Sequence, residues 1–245
     1  MIRFYYIILT GIPLIIFYIT VMSIYAAHPE KYDEYSCYAL AQKLINLVKK
    51  RGRIDTKVYG TENLPTENGY MMYSNHQGKY DALGIMAAHA QPCSVVMEYE
   101  RSKILGVSQF IDLVKGKRLK KDDLKQQLGV INELAREVES GKRFLIFPEG
   151  GYDKNHNQMQ EFQAGSFKCV QKAKCPIIPV AIWDSYKVFE GKSLKRVVTQ
   201  VHFLSAIHYE EYAGMNTREI SDMVKAHIEE CMENIRNEMK IQEVV

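Results

Sequence analysis

A histidine and an aspartate lie five positions apart in the chain, at His76 and Asp81. An imidazole bonded to a carboxylate can accept a proton from an alcohol, because the carboxylate fixes the ring tautomer and stabilises the cation that forms. Residues five apart in one helix point about 140° away from each other, so these side chains meet only across a turn. Gly78 gives that turn its flexibility. The spacing also fits a loop histidine followed by an ordinary helix N-cap.

The segments on either side of this pair predict the turn. Residues 70–75 form a short apolar run typical of a buried strand, and residues 81–88 have the pattern of a helix that begins with an acidic residue. We therefore expect the pair at a strand-to-helix junction.

A second block follows about seventy residues later. Residues 144–147 are an apolar run of strand type, and Pro148, Glu149, Gly150 and Gly151 follow it. Open α/β sheets bind ligands beyond the carboxyl ends of their strands, and adjacent glycines let backbone amides approach an anion. The same residues also fit a plain turn.

Three blocks together resemble a known family. Residues 75–81, 147–150 and 175–180 have the order and spacing found in the glycerolipid acyltransferases. The chain looks like the 1-acyl-sn-glycerol-3-phosphate acyltransferases of the PlsC type, and the resemblance extends from about residue 57 to about residue 208. The three blocks in combination are far more specific than any one of them.

The resemblance implies a role for individual residues. His76 is expected to be the general base, and Asp81 is expected to orient it. Glu149 and Gly150 are expected to help bind the phosphate-bearing acceptor. Asn75, which directly precedes the histidine, is a further candidate for substrate binding.

The resemblance also implies an activity. The enzyme is expected to move a fatty acyl group from acyl-CoA or acyl-carrier protein to the free hydroxyl of lysophosphatidic acid, which gives phosphatidic acid in phospholipid biosynthesis. No cofactor other than this acyl co-substrate is expected. The alternatives are another lysophospholipid or glycerol-3-phosphate acyltransferase, or a non-catalytic membrane-binding protein on the same scaffold.

Two departures from the family pattern affect the phosphate site. Family members commonly have Thr-Arg after the Glu-Gly pair, whereas this chain has Gly151 and Tyr152. The hydrophobic-Asp-Arg run is also interrupted after Asp112. Arg118 is expected to replace the missing arginine, with Lys117 as its rival, since a guanidinium can bind two phosphate oxygens at once. A solvated basic loop is the alternative.

Composition limits the possible classes of protein. The chain has 245 residues, of which 47% are hydrophobic and 25% charged, as in ordinary globular proteins. Its net charge of +3 is too small to indicate a nucleic-acid partner. The five cysteines form no C-x-x-C pair or Cys/His cluster, which favours free thiols in a reducing compartment and no bound metal.

The N-terminal segment is typical of a membrane helix. Residues 4–27 form a run of 24 residues without charge, which as a helix is about 36 Å long and exceeds the roughly 30 Å hydrocarbon core. Pro13 also leaves a re-entrant hairpin open. Residues 37–53 form an amphipathic basic helix that either lies on the membrane or packs on the protein. We expect the chain at the cell membrane, with its catalytic domain on the cytoplasmic side.

Beyond residue 53 the pattern alternates between strands and helices. It predicts an α/β fold with a mostly parallel central sheet flanked by helices, and it divides the chain into a membrane segment, 1–53, and a catalytic domain, 54–245. The predicted strands are 57–59, 70–75, 94–98, 110–114, 143–147, 177–182 and 197–203. The predicted helices are 81–89, 122–140, 166–173 and 217–239.

Overall fold

A seven-stranded sheet lies between two layers of helices in the computed structural model, which describes residues 1–244. The strands are β1 Ile54–Tyr59, β2 Tyr70–Ser74, β3 Ser94–Glu98, β4 Lys117–Leu119, β5 Arg143–Ile146, β6 Ile177–Trp183 and β7 Val197–Phe203. The helices are α1 Ile2–Ala27, α2 Glu34–Gly52, α3 Asp81–Ala88, α4 Val107–Leu113, α5 Leu124–Glu139, α6 Lys168–Ala173, α7 Lys187–Glu190, α8 Tyr209–Tyr212 and α9 Thr217–Val244.

The strand order is β1-β7-β6-β2-β5-β3-β4, and the strands run parallel except for the β6–β7 pair. The predicted α/β fold with a mostly parallel sheet is therefore confirmed. Parallel strands bring their carboxyl ends to one edge of the sheet, so the loops after β2, β5 and β6 lie side by side.

Alternation along β2 shows why both faces of the sheet are covered. Met71 and Tyr73 join a hydrophobic core with α5, α6 and α9, whereas Tyr70 and Met72 join a second core with α2, α3 and α4. Successive side chains of a strand point to opposite faces, and a continuous apolar run such as this one needs a helix layer on each side.

Two local predictions differ from the structure at one edge of the sheet. Residues 110–114 were expected to form a strand but belong mainly to α4, since a short apolar run fits a helix as well as a strand. The strand β4 was not predicted, because its three residues include two cations. It pairs only with β3 at the sheet edge, where charged side chains are common.

The helix α1 is continuous through Pro13 and is the one helix among the described residues that is long and apolar enough to cross a membrane. It contacts α2, α4 and α7. Near its C-terminal end, Met22 is buried in the same core as α2. The side chain of Arg3 is also buried and donates to the carbonyl of Val188, with a distance of 2.8 Å from Nη1 to the oxygen. The helix therefore lies along the sheet domain and is attached to it at both ends.

The helix α2 packs with one face on the protein. Asp33 caps its N-terminus by accepting from the amide of Ser36 at 2.8 Å. In its apolar stripe, Ala41 and Ile45 are fully buried in the core that this helix shares with α3 and α4, whereas Lys50 lies exposed on the other side. Of the two predicted arrangements, the structure has the one in which this helix covers the sheet domain.

The entry of the chain into β2 needs a glycine at position 69. A Cβ atom there would lie 2.1 Å from the carbonyl oxygen of Val138 and 2.4 Å from that of Lys142, which is far inside van der Waals contact. Gly129, in the exposed part of α5, has no atom within 4 Å of the same position.

We expect Gly69→Ala to lower the free energy of unfolding by about 2 kcal/mol or more, because the overlapping atoms belong to the backbone and cannot rotate away. Gly129→Ala is the matched control and should raise it by up to about 1 kcal/mol, since alanine has the higher helix propensity. Chemical denaturation of both variants tests this, and equal stabilities would contradict the assignment.

Candidate active site

Three loops at the carboxyl edge of the sheet carry the candidate residues. His76 follows β2, Glu149 follows β5, and Ser185 follows β6. Because β2 lies between β5 and β6 in the sheet, its loop contacts both of the others. The sheet order therefore brings together residues that are more than a hundred positions apart.

The predicted histidine and aspartate are in direct contact. The distance from Nδ1 of His76 to Oδ2 of Asp81 is 2.7 Å, and the aspartate side chain is fully buried. Since a carboxylate accepts here, the neutral form of the ring carries its hydrogen on Nδ1 and its lone pair on Nε2. Within residues 1–244, Nε2 has no hydrogen-bond partner, and the imidazole remains 17% exposed. The ring is therefore held at one nitrogen and open at the other.

Asp81 is the first residue of α3 and organises the turn before it. Besides the imidazole, its Oδ2 accepts from the amides of Gln77 at 2.5 Å and Gly78 at 2.8 Å. Its Oδ1 accepts from the hydroxyl of Ser185 at 2.5 Å. A buried carboxylate is costly unless it is hydrogen-bonded, and these donors provide that compensation.

Two aromatic rings form the walls around the imidazole. Phe147 stacks on one face of His76, with 4.2 Å between ring centroids and 18° between planes. Tyr152 meets the imidazole edge-on at 4.7 Å. Burial raises the pKa of Tyr152, so its phenol is neutral at ordinary pH. The histidine is thus limited in rotation by packing as well as by its hydrogen bond.

Glu149 supports the histidine loop from below. Its Oε1 accepts from the backbone amide of His76 at 2.9 Å, and its Oε2 accepts from Gln160 at 3.1 Å. Asn155 links His76 with Glu149, because its side-chain amide donates to the backbone carbonyl of His76 at 3.0 Å and also to Oε2 of Glu149. The contacts of this side chain are with the protein backbone and amide side chains, and they hold the loop of His76 in place; the role of Glu149 in acceptor binding stays a prediction.

Gly150 allows the chain to turn directly after this glutamate. Its φ of 72° is in the left-handed region, and a Cβ atom there would overlap the amide of Gln163. Its own N–H donates to the carbonyl of Phe147 at 3.1 Å and closes the turn.

Amide side chains join the loop after β2 to the loop after β6. The side chain of Asn75 exchanges two hydrogen bonds with the backbone of Ile182, at 3.1 and 2.8 Å. Gln77, fully buried, donates to the same carbonyl at 2.9 Å and accepts from the amide of Ser185 at 2.9 Å. These contacts fix the loop after β2, and the role of Asn75 in substrate binding stays a prediction.

The structure places the two expected phosphate-binding cations in β4, in contact with other groups. Arg118 forms an ion pair with Asp112 at 2.8 Å and donates to Ser102 at 3.0 Å. Lys117 lies between Glu133 and Glu137, at 2.7 and 2.5 Å, and its side chain is only 14% exposed. Both charges are thus compensated by carboxylates of the protein itself.

Several residues of this site were not predicted from the sequence. Ser185 stands two positions after the end of β6, where the carboxyl-edge rule applies, so that rule was a usable signal. The contacts of Tyr152, Asn155 and Gln160 depend on the path of a long loop, for which the sequence has no periodic pattern.

Comparison with known proteins gives the family context. A family model described as Acyltransferase matches residues 55–183, which include the His76, Asp81 and Glu149 loops. The 1-acyl-sn-glycerol-3-phosphate acyltransferase alpha of Mus musculus is 28% identical over 187 residues, covering 70% of this chain and 61% of that protein. The 1-acyl-sn-glycerol-3-phosphate acyltransferase of Saccharomyces cerevisiae is 25% identical over 186 residues, covering 74% of this chain and 61% of that protein.

The chain thus spans less than two thirds of the length of these curated relatives.

A solved structure has a similar fold. The crystal structure of the 1-acyl-sn-glycerophosphate (LPA) acyltransferase PlsC from Thermotoga maritima has a TM-score of 0.76 with this chain at 20% sequence identity, and the match covers 96% of this chain and 94% of that one.

The buried position of Glu149 leads to a pH prediction. Burial raises its pKa from 4.5 to about 7, although the bond from the His76 amide acts in the opposite direction. Between these pH values the folded protein binds a proton that the unfolded chain does not. Stability should therefore fall as the pH rises from about 4.5 through about 7, by up to ~1.4 kcal/mol per pH unit from this group.

Glu149→Gln should lack this contribution, so its free energy of unfolding, measured by chemical denaturation, should depend less on pH than that of the wild type. Glu67→Gln, at an exposed position before β2, is the control and should follow the wild type. Parallel curves for wild type and Glu149→Gln would contradict the prediction.

Proposed function

The chain belongs to the acyltransferase family, and from this we propose that it transfers a fatty acyl group from an acyl thioester to the free hydroxyl of lysophosphatidic acid, giving phosphatidic acid. The names of the relatives support the acceptor. The observation that carries the chemistry is the imidazole of His76, bonded to buried Asp81 through Nδ1 and open at Nε2. The donor is acyl-CoA or acyl-carrier protein.

The proposed reaction has two proton transfers. Nε2 of His76 accepts the hydroxyl proton as the acceptor oxygen attacks the thioester carbonyl, and the imidazolium is stabilised by Asp81. The tetrahedral intermediate then collapses, its carbon–sulfur bond breaks, and the thiolate leaves with a proton from the imidazolium. No acyl-enzyme is required, because a base-activated alcohol can attack a thioester directly.

The proposed site is at a membrane surface. Large apolar side chains on one face of α1 are exposed, and they include Ile2, Tyr5, Leu9, Ile12, Ile16, Phe17 and Ile24. The same helix approaches the catalytic loop, since Lys79, between His76 and Asp81, lies 5.2 Å from the ring of Phe4. A lipid acceptor in the membrane would thus lie near the base.

We propose the cytoplasmic side of the cell membrane as the location of the catalytic domain.

His76→Ala should lower kcat by at least about 10²-fold, since general-base catalysis typically contributes 10²–10⁴-fold. The measurement is thiol release by the full-length protein with lysophosphatidate and either acyl-CoA or acyl-carrier protein. Parallel reactions with glycerol-3-phosphate and with a lysophospholipid test the alternative acceptors. His227→Ala, at an exposed position on α9, is the matched control. Release that survives the loss of His76 would contradict the mechanism.

The double variant Leu9→Glu, Phe17→Glu should bind phospholipid vesicles at least about tenfold more weakly, because burial of each apolar side chain contributes roughly 1.5–3 kcal/mol. Leu124→Glu, at an exposed apolar position on α5, is the control and should bind like the wild type. Vesicle co-sedimentation measures the difference. Undiminished binding by the double variant would show that another surface attaches the protein.

A further inference from the structure

The site needs a cation, because a phosphomonoester acceptor carries a charge near −2 at neutral pH. Tyr152 stands where many family members have an arginine, and Arg118 and Lys117 are paired elsewhere. We infer that Arg101, together with Lys121, binds the phosphate of the acceptor. This inference rests on the proposed function.

Tyr152 connects the guanidinium of Arg101 to the histidine. The tyrosine ring meets the imidazole of His76 edge-on, with 4.7 Å between the ring centroids. The guanidinium carbon of Arg101 lies 5.2 Å from the centroid of the same tyrosine ring. Arg101 is thus one side chain away from the proposed base. An aromatic ring attracts a guanidinium over its face and limits its movement, and the guanidinium has several N–H groups with which it can bind an anion.

Lys121 approaches the same turn from the segment after β4. Its ammonium nitrogen lies 3.9 Å from the point where a side chain at Gly151 would begin. Because residue 151 is a glycine, the space beside the turn is open to this lysine. The two cations therefore border the Gly151–Tyr152 turn, the segment in which the family's usual arginine is absent.

The local charge balance favours an anion. Arg101 and Lys121 both contact one carboxylate, that of Glu98, at 3.2 and 3.8 Å. Among the ion pairs of residues 1–244, these two cations thus share a single carboxylate. The side chains of Arg101 and Lys121 are 47% and 55% exposed, so a ligand can reach them. The 14% exposed Lys117, placed between two glutamates, lacks both properties.

The position relative to His76 points to the acceptor and not to the donor. In lysophosphatidate, the phosphate is attached to the carbon next to the one that bears the reacting hydroxyl. When His76 contacts that hydroxyl, the phosphate must lie within a few ångströms of the imidazole. The phosphates of acyl-CoA are separated from the thioester by a long arm and reach the surface farther from the base.

The test is Arg101→Gln in the full-length protein. The KM for lysophosphatidate should rise at least about tenfold, because the phosphate loses its charge-assisted hydrogen bonds from the guanidinium. The KM for the acyl donor should stay unchanged. The rate with monoacylglycerol, which has the hydroxyl but no phosphate, should also stay unchanged, so the preference for the phosphorylated acceptor should fall by the same factor.

Three further variants complete the design. Arg101→Lys keeps the charge but not the paired N–H groups and should recover part of the affinity. Lys121→Gln should raise the same KM and replaces Arg101→Gln if that protein does not fold. Arg196→Gln is the control, because Arg196 pairs with Asp55 in β1, at the opposite edge of the sheet.

The outcomes separate this inference from the proposed function. An active wild type whose KM for lysophosphatidate is unchanged in both Arg101→Gln and Lys121→Gln would overturn the inference alone. A rise in the donor KM instead would assign these cations to the donor phosphates and also overturn it. A wild type that acylates no phosphate-bearing acceptor would overturn the proposed function and the inference together.

Discussion

The buried carboxylate of Asp81 is the interaction on which the site depends. It accepts hydrogen bonds from His76, from two backbone amides of the preceding turn, and from Ser185. An unpaired charge in this position would be strongly destabilising, so the donors must converge for the protein to fold. The same set of bonds orients the imidazole. Folding and arrangement of the site are therefore two results of one constraint.

The sheet order makes that convergence possible. The strand β2 lies between β5 and β6, and its loop is supported by Glu149 on one side and by the Ile182–Ser185 segment on the other. Gln77 and Asn75 use their amide groups for these links. The residues around the proposed base thus serve mainly to hold loops in place, and the proposed proton transfer involves only a few atoms.

Much of the fold could be predicted from periodicity and local spacing. The long apolar runs gave β2, β3, β6 and β7, and the amphipathic pattern gave α5, since these signals come from neighbouring residues. The partners of Arg118 and Lys117 depended on β4, a short charged edge strand with no apolar signature. The role of Arg101 was hidden for a similar reason, because its contact with Tyr152 joins segments far apart in the chain.

The attachment of α1 at both ends has a consequence for how substrate arrives. With Arg3 anchored beside α7 and Met22 buried at the other end, the apolar helix cannot swing away from the sheet domain. In the proposed arrangement, with that helix in a leaflet, the loop that carries His76 has a fixed height and tilt above the lipid. The proposed lipid acceptor then reaches this site by a lateral search in two dimensions, while the proposed acyl thioester approaches from the third.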